Sequence, residues 1–232
     1  MVWIANHIGR RTRHRLEGKT TRCRFASLCS FDCLGTGGCR LLIVGYESGD
    51  PQILKNIKKG ATVDMALRFT ENCKKLGFVI HGDFIIGLPG ETRETIRRTI
   101  DFAKRLDTET IQVSIAHALP GTELYDHGSQ NGLINLTMAD EAGHQLPNIT
   151  YKGLDQADLV DAVERFYGEY YFRPRVVWRV VRKAVFNSEE RRRLAKEARE
   201  YLTLRSKRKQ FVRDQRLGVG IANESDTAIP VD

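Results

Sequence analysis

Three short loops of this chain combine glycine or proline with polar side chains, a combination that binds polar ligands. They are Glu47-Ser48-Gly49, Gly87-Leu88-Pro89-Gly90-Glu91 and His117-Ala118-Leu119-Pro120-Gly121. Such a loop presents backbone N–H groups, and a helix that follows it adds the positive end of its dipole. Each loop taken alone is more typical of an ordinary tight turn, because Pro and Gly favour turns. Three of them in register favour a ligand site.

The segments between the loops are predicted to alternate between strand and helix. Short apolar runs rich in β-branched residues predict three strands, over residues 40–47, 78–86 and 110–116. Apolar side chains at helical spacing predict two helices between them, over residues 62–76 and 92–106. Thr62 is placed to cap the first helix and Gly77 to end it. The alternation predicts a parallel sheet, with all three loops at one edge.

The remaining segments have a different character. Residues 1–38 are rich in Arg, Cys, Gly and Thr without periodicity, and they are expected to be an atypical segment, disordered or out of frame. A helix is predicted over 154–171, with a break at Pro174, a second helix after it and a long third helix from Ser188. Residues 217–232 have few large apolar side chains and are predicted to be a disordered tail.

The positive charge of the chain, +8 overall, is concentrated near its C-terminus. Residues 173–216 hold sixteen Lys and Arg against five acidic residues, so this segment has the charge to bind an anionic membrane surface or nucleic acid. Acidic residues such as Glu189 and Glu197 interrupt the basic run and argue against nucleic acid. A solvated helix face is the ordinary alternative.

The sequence also predicts where the protein is located. No apolar run has the length of a membrane span, and the arginine-rich N-terminus lacks the apolar core of a secretory signal. We therefore expect a cytoplasmic protein, peripheral at the inner membrane if the basic segment binds lipid.

Three motifs together resemble one known family. Val44-Gly45-Tyr46-Glu47-Ser48-Gly49 is followed by Gly82-Asp83-Phe84-Ile85-Ile86-Gly87-Leu88-Pro89-Gly90-Glu91-Thr92 and then by Ala118-Leu119-Pro120-Gly121-Thr122. In this order they resemble the second half of the catalytic domain of radical S-adenosylmethionine (SAM) enzymes, especially the branch with a cobalamin-binding domain. The segment that leads from these motifs into the Arg-rich helix is more weakly similar to the hopanoid-biosynthesis-associated members of this family.

The resemblance implies a fold, a chemistry and a set of cofactors. It implies an α/β fold: the C-terminal half of a radical SAM partial (β/α)6 barrel over residues 39–130, followed by a helical extension over 131–216. The family uses a [4Fe-4S] cluster and SAM to generate a 5′-deoxyadenosyl radical, and cobalamin is expected in the full-length parent. The implied reaction is radical chemistry on an unreactive C–H or C–C bond, with a hopanoid lipid as substrate. A basic binding module and a cofactor-free scaffold are the alternative functions.

The resemblance also implies which residues contact SAM. They are Glu47, Ser48, Gly87, Leu88, Pro89, Gly90, Glu91, His117 and Leu119. The first two would face the ribose and methionine side, residues 87–91 the adenine and ribose, and the backbone near 117–119 the adenine pocket. Helix caps or surface carboxylates are the alternative for Glu47 and Glu91, and a packed core histidine is the alternative for His117. No catalytic residue is assigned.

The cysteines depart from the family pattern. The family's cluster loop is Cys-x3-Cys-x2-Cys, whereas four cysteines here stand at positions 23, 29, 33 and 39, and the third ligand after Cys29 and Cys33 would fall on Thr36. Three βα units of ~30 residues should separate that loop from the first predicted strand. Only seven residues separate Cys33 from Leu41. We therefore expect no metal site, a packed Cys73, and an enzyme fragment that is inactive alone.

Overall fold

The computed structural model describes residues 2–5, 40–134, 148–151, 153–186 and 188–216. The chain divides into two compact units, Met1–Leu154 and Asp155–Asp232. The boundary between the units falls inside the predicted helical extension 131–216. The predicted limits of the four segments of the chain stay predictions.

The first unit is built on a four-stranded sheet in which the strands follow one another in chain order. Its strands are β1 (Val2–Ala5), β2 (Leu41–Glu47), β3 (Val79–Ile86) and β4 (Thr110–Ile115). β2 pairs in parallel with β3, and β3 pairs in parallel with β4. The α/β fold with a parallel sheet, expected from the alternation of elements, is therefore confirmed.

β1 is an element that the sequence pattern did not reveal. It pairs antiparallel with β2, with Val2 opposite Val44 and Ala5 opposite Leu41. Four residues are too few to display strand periodicity in the sequence, and a partner strand 39 residues away leaves no local signal. The rest of the segment 1–38 lies outside the described residues.

Four helices accompany this sheet among the described residues: α1 (Pro51–Asn56), α2 (Val63–Lys75), α3 (Arg93–Leu106) and α4 (Glu123–Gln130). The predicted cap of α2 is confirmed, because the Thr62 side chain accepts a hydrogen bond from the Met65 amide. Gly77 follows α2 with a φ of 79°, the left-handed conformation that ends many helices. The short helices α1 and α4 were not predicted, since neither is long enough to show an apolar stripe.

An aromatic cluster forms the core between the sheet and the two long helices. Tyr46 of β2 stacks on Phe84 of β3, and Phe102 of α3 meets both rings edge-on. The Tyr46 hydroxyl lies 2.5 Å from the Thr70 hydroxyl of α2. α2 and α3 therefore pack on the same face of the sheet. Side chains on the opposite face remain partly exposed.

The second unit is helical, as predicted, with α5 (Gln156–Tyr171), α6 (Pro174–Phe186) and α7 (Ser188–Arg216). α5 begins two residues later than predicted because Asp155 caps it, accepting from the Asp158 amide at 2.7 Å. Glu164 of α5 is nearly buried and pairs with Arg208 of α7 at 3.0 Å. Among the described helices, none is both long enough and apolar enough to cross a membrane.

Candidate functional site

An apolar cluster joins the segments that follow the three parallel strands. Ile53 of α1, Leu88 after β3 and Ala116 after β4 are buried against one another, and Leu124 of α4 packs on them. The three predicted loops therefore lie at the same edge of the sheet, as the alternation of elements predicted. Leu88, a predicted SAM contact, is 7% exposed and belongs to this cluster.

The loop after β2 is fixed to α3 by hydrogen bonds. Ser48 is fully buried, and its hydroxyl lies 3.1 Å from the Thr99 hydroxyl. The amide of Gly49 donates to the same Thr99 oxygen at 3.0 Å, and the amide of Asp50 donates to the Ser48 oxygen at 3.1 Å. In this arrangement the Ser48 side chain holds the loop on the helix.

Asp50 completes the attachment of this loop. Its carboxylate caps α1 by accepting from the amides of Gln52 and Ile53, and it pairs with Arg98 of α3 at 2.8 Å. Burial by itself raises the pKa of Asp50, but the hydrogen bond from Arg98 and the two amides outweigh it and hold the pKa below its usual value. The ionised carboxylate is therefore the form that the fold stabilises.

Replacing Asp50 with alanine is expected to lower the free energy of unfolding at pH 7 by about 1–2 kcal/mol, the cost of a lost helix cap. Because folding lowers the pKa of Asp50, its charge stabilises the folded chain above the unfolded-state pKa of about 3.9. This stabilisation is lost as the pH falls below that value. Urea unfolding at pH 7 and at pH 3 measures both effects. Asp50→Asn keeps the cap and isolates the charge, and equal losses for Asn and Ala would contradict the role of the cap.

The loop after β3 turns tightly around a buried carboxylate. Gly87 and Gly90 adopt φ values of 77° and 84°, and the Glu91 amide donates to the Leu88 carbonyl at 2.9 Å. The Glu91 side chain is 4% exposed and accepts hydrogen bonds from the Leu88 amide and the Thr95 hydroxyl. Burial raises the pKa of Glu91. Glu91 thus organises the loop from inside.

α1 supports the outer part of this loop. The side-chain amide of Asn56 donates to the carbonyl of Pro89 at 2.8 Å. A Cβ atom on Gly90 would lie 2.8 Å from the same amide nitrogen, and the φ of 84° would strain any residue other than glycine. Gly90 is exposed and Pro89 is partly exposed, which leaves this stretch of backbone accessible to a ligand.

The loops after β4 and β3 are each held by a residue that sequence reasoning missed. Asn148 is buried, and its side chain both accepts from the Ala118 amide at 2.8 Å and donates to the Ala118 carbonyl at 2.7 Å. Tyr151 donates to the carbonyl of Gly87 at 3.1 Å, which ties the same segment to the loop after β3. Neither residue belongs to a motif, so the sequence carried no signal for them. Beside this clamp, His117 is half-buried and Leu119 is 49% exposed.

Glu47 lies apart from these loop contacts. It adopts a φ of 65° at an irregularity in the pairing of β2 with β3, and its carboxylate forms an ion pair with Lys59 at 2.6 Å. Both side chains are largely buried, at 19% and 14% exposure. Lys59 is a third residue that the sequence analysis did not single out.

The described residues do not fit an iron–sulfur cluster. Cys73 is the free cysteine among them; it is 1% exposed, and burial raises its pKa to about 11, so it packs as predicted. Within the described ranges, no three His, Cys, Asp or Glu side chains converge as a metal site requires. The cysteines at positions 23, 29, 33 and 39 lie outside those ranges.

Comparisons with known proteins agree with the family resemblance. The model of the Radical SAM superfamily matches residues 31–103. An uncharacterized methyltransferase of Pyrococcus horikoshii is 37% identical over 142 residues, which are 61% of this chain and 31% of that protein. A putative methylthiotransferase of Methanocaldococcus jannaschii is 38% identical over 82 residues, 35% of this chain and 18% of that protein. The chain thus spans a third or less of these relatives.

A solved structure supports the fold. The radical SAM methyltransferase TsrM of Kitasatospora setae, determined with tryptophan substrate and a SAM analogue, superposes with a TM-score of 0.51 and 22% identity. The match covers 65% of this chain and 35% of TsrM. The parallel sheet with its helices is therefore the α/β arrangement of a radical SAM partial barrel. SAM contacts at the nine predicted residues stay predictions.

Proposed function

We propose that this chain provides the nucleoside-binding side of the SAM site in a radical SAM enzyme. The observation that carries the proposal is the apolar cluster that joins the segments following β2, β3 and β4 at the carboxyl edge of the parallel strands. Ligands of open α/β sheets bind at this edge. The superfamily match and the names of the relatives support the same function.

The residues of this chain would act by holding backbone in place. Glu91 fixes the Leu88 amide from inside the loop, and Asn148 fixes both backbone groups of Ala118. The accessible backbone at Pro89, Gly90 and Leu119 would then meet the adenine and ribose without rearranging, which lowers the entropic cost of binding. SAM would supply the 5′-deoxyadenosyl group. We derive no step through the cluster, since the described residues do not fit one.

The reaction that we infer is group transfer to an unreactive carbon, because relatives are named as a methyltransferase and a methylthiotransferase. A hopanoid lipid as substrate, and cobalamin in a longer parent, rest on the sequence resemblance and stay predictions. The inactivity of this chain by itself is likewise a prediction.

Nucleoside binding tests the proposal directly. We expect 5′-deoxyadenosine and SAM to bind with similar dissociation constants, on the order of 1 mM, and free methionine to bind more weakly. Replacing Glu91 with alanine should weaken the binding of both nucleosides about tenfold. The loss of the hydrogen bonds that order the loop should cost about 1.4 kcal/mol of binding free energy. Ligand-observed NMR on the full chain measures these affinities.

Glu71→Ala is the matched control, because Glu71 pairs with Lys75 on the exposed surface of α2. It should leave both affinities unchanged. Affinities that do not respond to Glu91→Ala, or methionine binding as tightly as SAM, would show that the nucleoside does not occupy this edge.

An anionic membrane surface is the second candidate partner, favoured by one feature of α6. Val177, Trp178 and Val181 share a face of this helix and are 43%, 68% and 46% exposed. Arg175 and Arg182 are exposed on the same helix. Exposed Trp and Val flanked by Arg are typical of helices that lie in a lipid interface.

Vesicle binding tests the membrane candidate. With Trp3 replaced by Phe, Trp178 is the single remaining tryptophan, and its emission should shift to the blue on vesicles that contain phosphatidylglycerol. Each Arg near the lipid contributes about 1 kcal/mol, so high salt should reverse the shift. Purely zwitterionic vesicles are the control, and an equal shift on them, or none on either, would contradict this candidate.

A further inference from the structure

The C-terminal part of α7 lines a groove of about 600 Å³, a volume typical of sites for small molecules. Residues three, four and seven positions apart share one face of a helix, and the groove follows such a face. Its lining residues are Ser206, Lys209, Gln210, Val212, Arg213 and Arg216. Val212 is 8% exposed and the other five are exposed, so the groove extends from the surface to the packed side of the helix.

Two other arginines of α7 have a structural role. Arg205 and Arg208 lie 3.7 Å and 3.0 Å from the carboxylate of Glu164 on α5. Arg208 also lies over the ring of Tyr167, 5.8 Å from its centroid. The packing of α7 on α5 therefore accounts for these two arginines, but it does not account for the positive side chains of the groove.

The positive side chains of the groove lack an acidic partner. Within the described ranges, no carboxylate lines the groove or forms an ion pair with Lys209, Arg213 or Arg216. Arg213 stands four residues after Lys209 and three before Arg216, and like charges at these spacings destabilise a helix. An anion bound between them would remove this repulsion. Ser206 and Gln210 add neutral hydrogen-bond donors beside the three charges.

We propose that this groove binds the terminal phosphate of a small phosphate monoester. Three positive charges attract the dianion of a monoester more strongly than the single charge of a phosphodiester, because electrostatic attraction scales with charge. Arginine adds N–H donors in a planar fork that matches the oxygens of a phosphate. The charge balance therefore favours a monoester over the phosphodiesters of a nucleic acid or of phosphatidylglycerol. The site lies within the helical unit and does not depend on the proposed nucleoside site.

Saturation-transfer NMR on the full chain, with phenyl phosphate as the probe, tests the proposal. At about pH 8 this probe is a dianion, because the second pKa of such a phosphate is about 6. We expect a saturable signal from its ring protons, with a dissociation constant on the order of 1 mM. Phenyl sulfate and the diester methyl phenyl phosphate each carry one negative charge and should bind about tenfold more weakly.

Arg213→Gln places the binding in the groove, because it removes the charge between Lys209 and Arg216. It should weaken phenyl phosphate about tenfold. Arg199→Gln is the matched control, since Arg199 is exposed about two turns before Ser206 on the same helix and the net charge changes equally. This variant should leave the affinity unchanged. Circular dichroism checks that both variants keep the helix content of the unmodified chain.

The comparison of the three probes on the unmodified chain needs no variant, so it stands even if Arg213→Gln fails to fold. Phenyl sulfate that binds as tightly as phenyl phosphate would show a general attraction for anions and would overturn the proposal. An equal loss of affinity in Arg199→Gln, or an unchanged affinity in folded Arg213→Gln, would do the same. The absence of a saturable signal would also overturn it, and would mean that these cations serve only the negative end of the helix dipole.

Discussion

Gly49→Ala is expected to destabilise the first unit by about 3 kcal/mol, at the upper end of the usual cost of overpacking. A Cβ atom at Gly49 would lie 2.4 Å from Phe102 Cβ and 2.9 Å from both Arg98 O and Thr99 Cα. Two of these neighbours are backbone atoms of α3, which cannot move aside. The loop would have to leave the helix and lose the hydrogen bonds of Ser48 and Gly49 to Thr99.

Urea unfolding followed by circular dichroism measures this loss. Gly121→Ala is the matched control, because Gly121 lies in the loop after β4 with a φ of 82° and open space around its Cα atom. That variant should cost only the strain of a left-handed residue, about 1–2 kcal/mol. A Gly49→Ala chain as stable as the wild type would show that this loop is not seated on α3.

Asn148→Ala is expected to cost about 2–4 kcal/mol, because it leaves the amide and the carbonyl of Ala118 buried without partners. Ala118 is fully buried and Asn148 is 2% exposed, so water cannot replace either hydrogen bond without opening the loop. The loss should be local as well as global. Hydrogen exchange read by mass spectrometry should show early loss of protection in the segment 116–122.

Asn131→Ala provides the control for this prediction. Asn131 is exposed at the end of α4, where its side chain donates to the His127 carbonyl at 2.7 Å. Its removal should change exchange in 116–122 little. Unchanged protection in Asn148→Ala would mean that the loop after β4 holds its shape without the clamp, and that Asn148 does not position it.

The regular elements around the three loops could be predicted from sequence because their signals are local. Thr62 caps its helix within three residues, and Gly77 ends that helix through its own backbone conformation. The alternation of strand and helix was then enough to predict a parallel sheet with its loops at one edge. β1 escaped prediction because four residues are too few to show strand alternation, and α1 and α4 because six and eight residues are too few to show an apolar helical stripe.

Which polar groups of the site are already hydrogen-bonded within the protein was decided by the tertiary structure. The family resemblance placed Ser48 and Glu91 among the predicted SAM contacts, yet the fold buries both and turns their oxygens toward Thr99, Thr95 and the Leu88 amide. Asn148 meets a backbone 30 residues away, and Lys59 meets a carboxylate 12 residues away. The sequence determines which polar groups a loop contains. Only packing decides which of them form hydrogen bonds within the protein, because burial and hydrogen bonding depend on residues that are distant in the sequence.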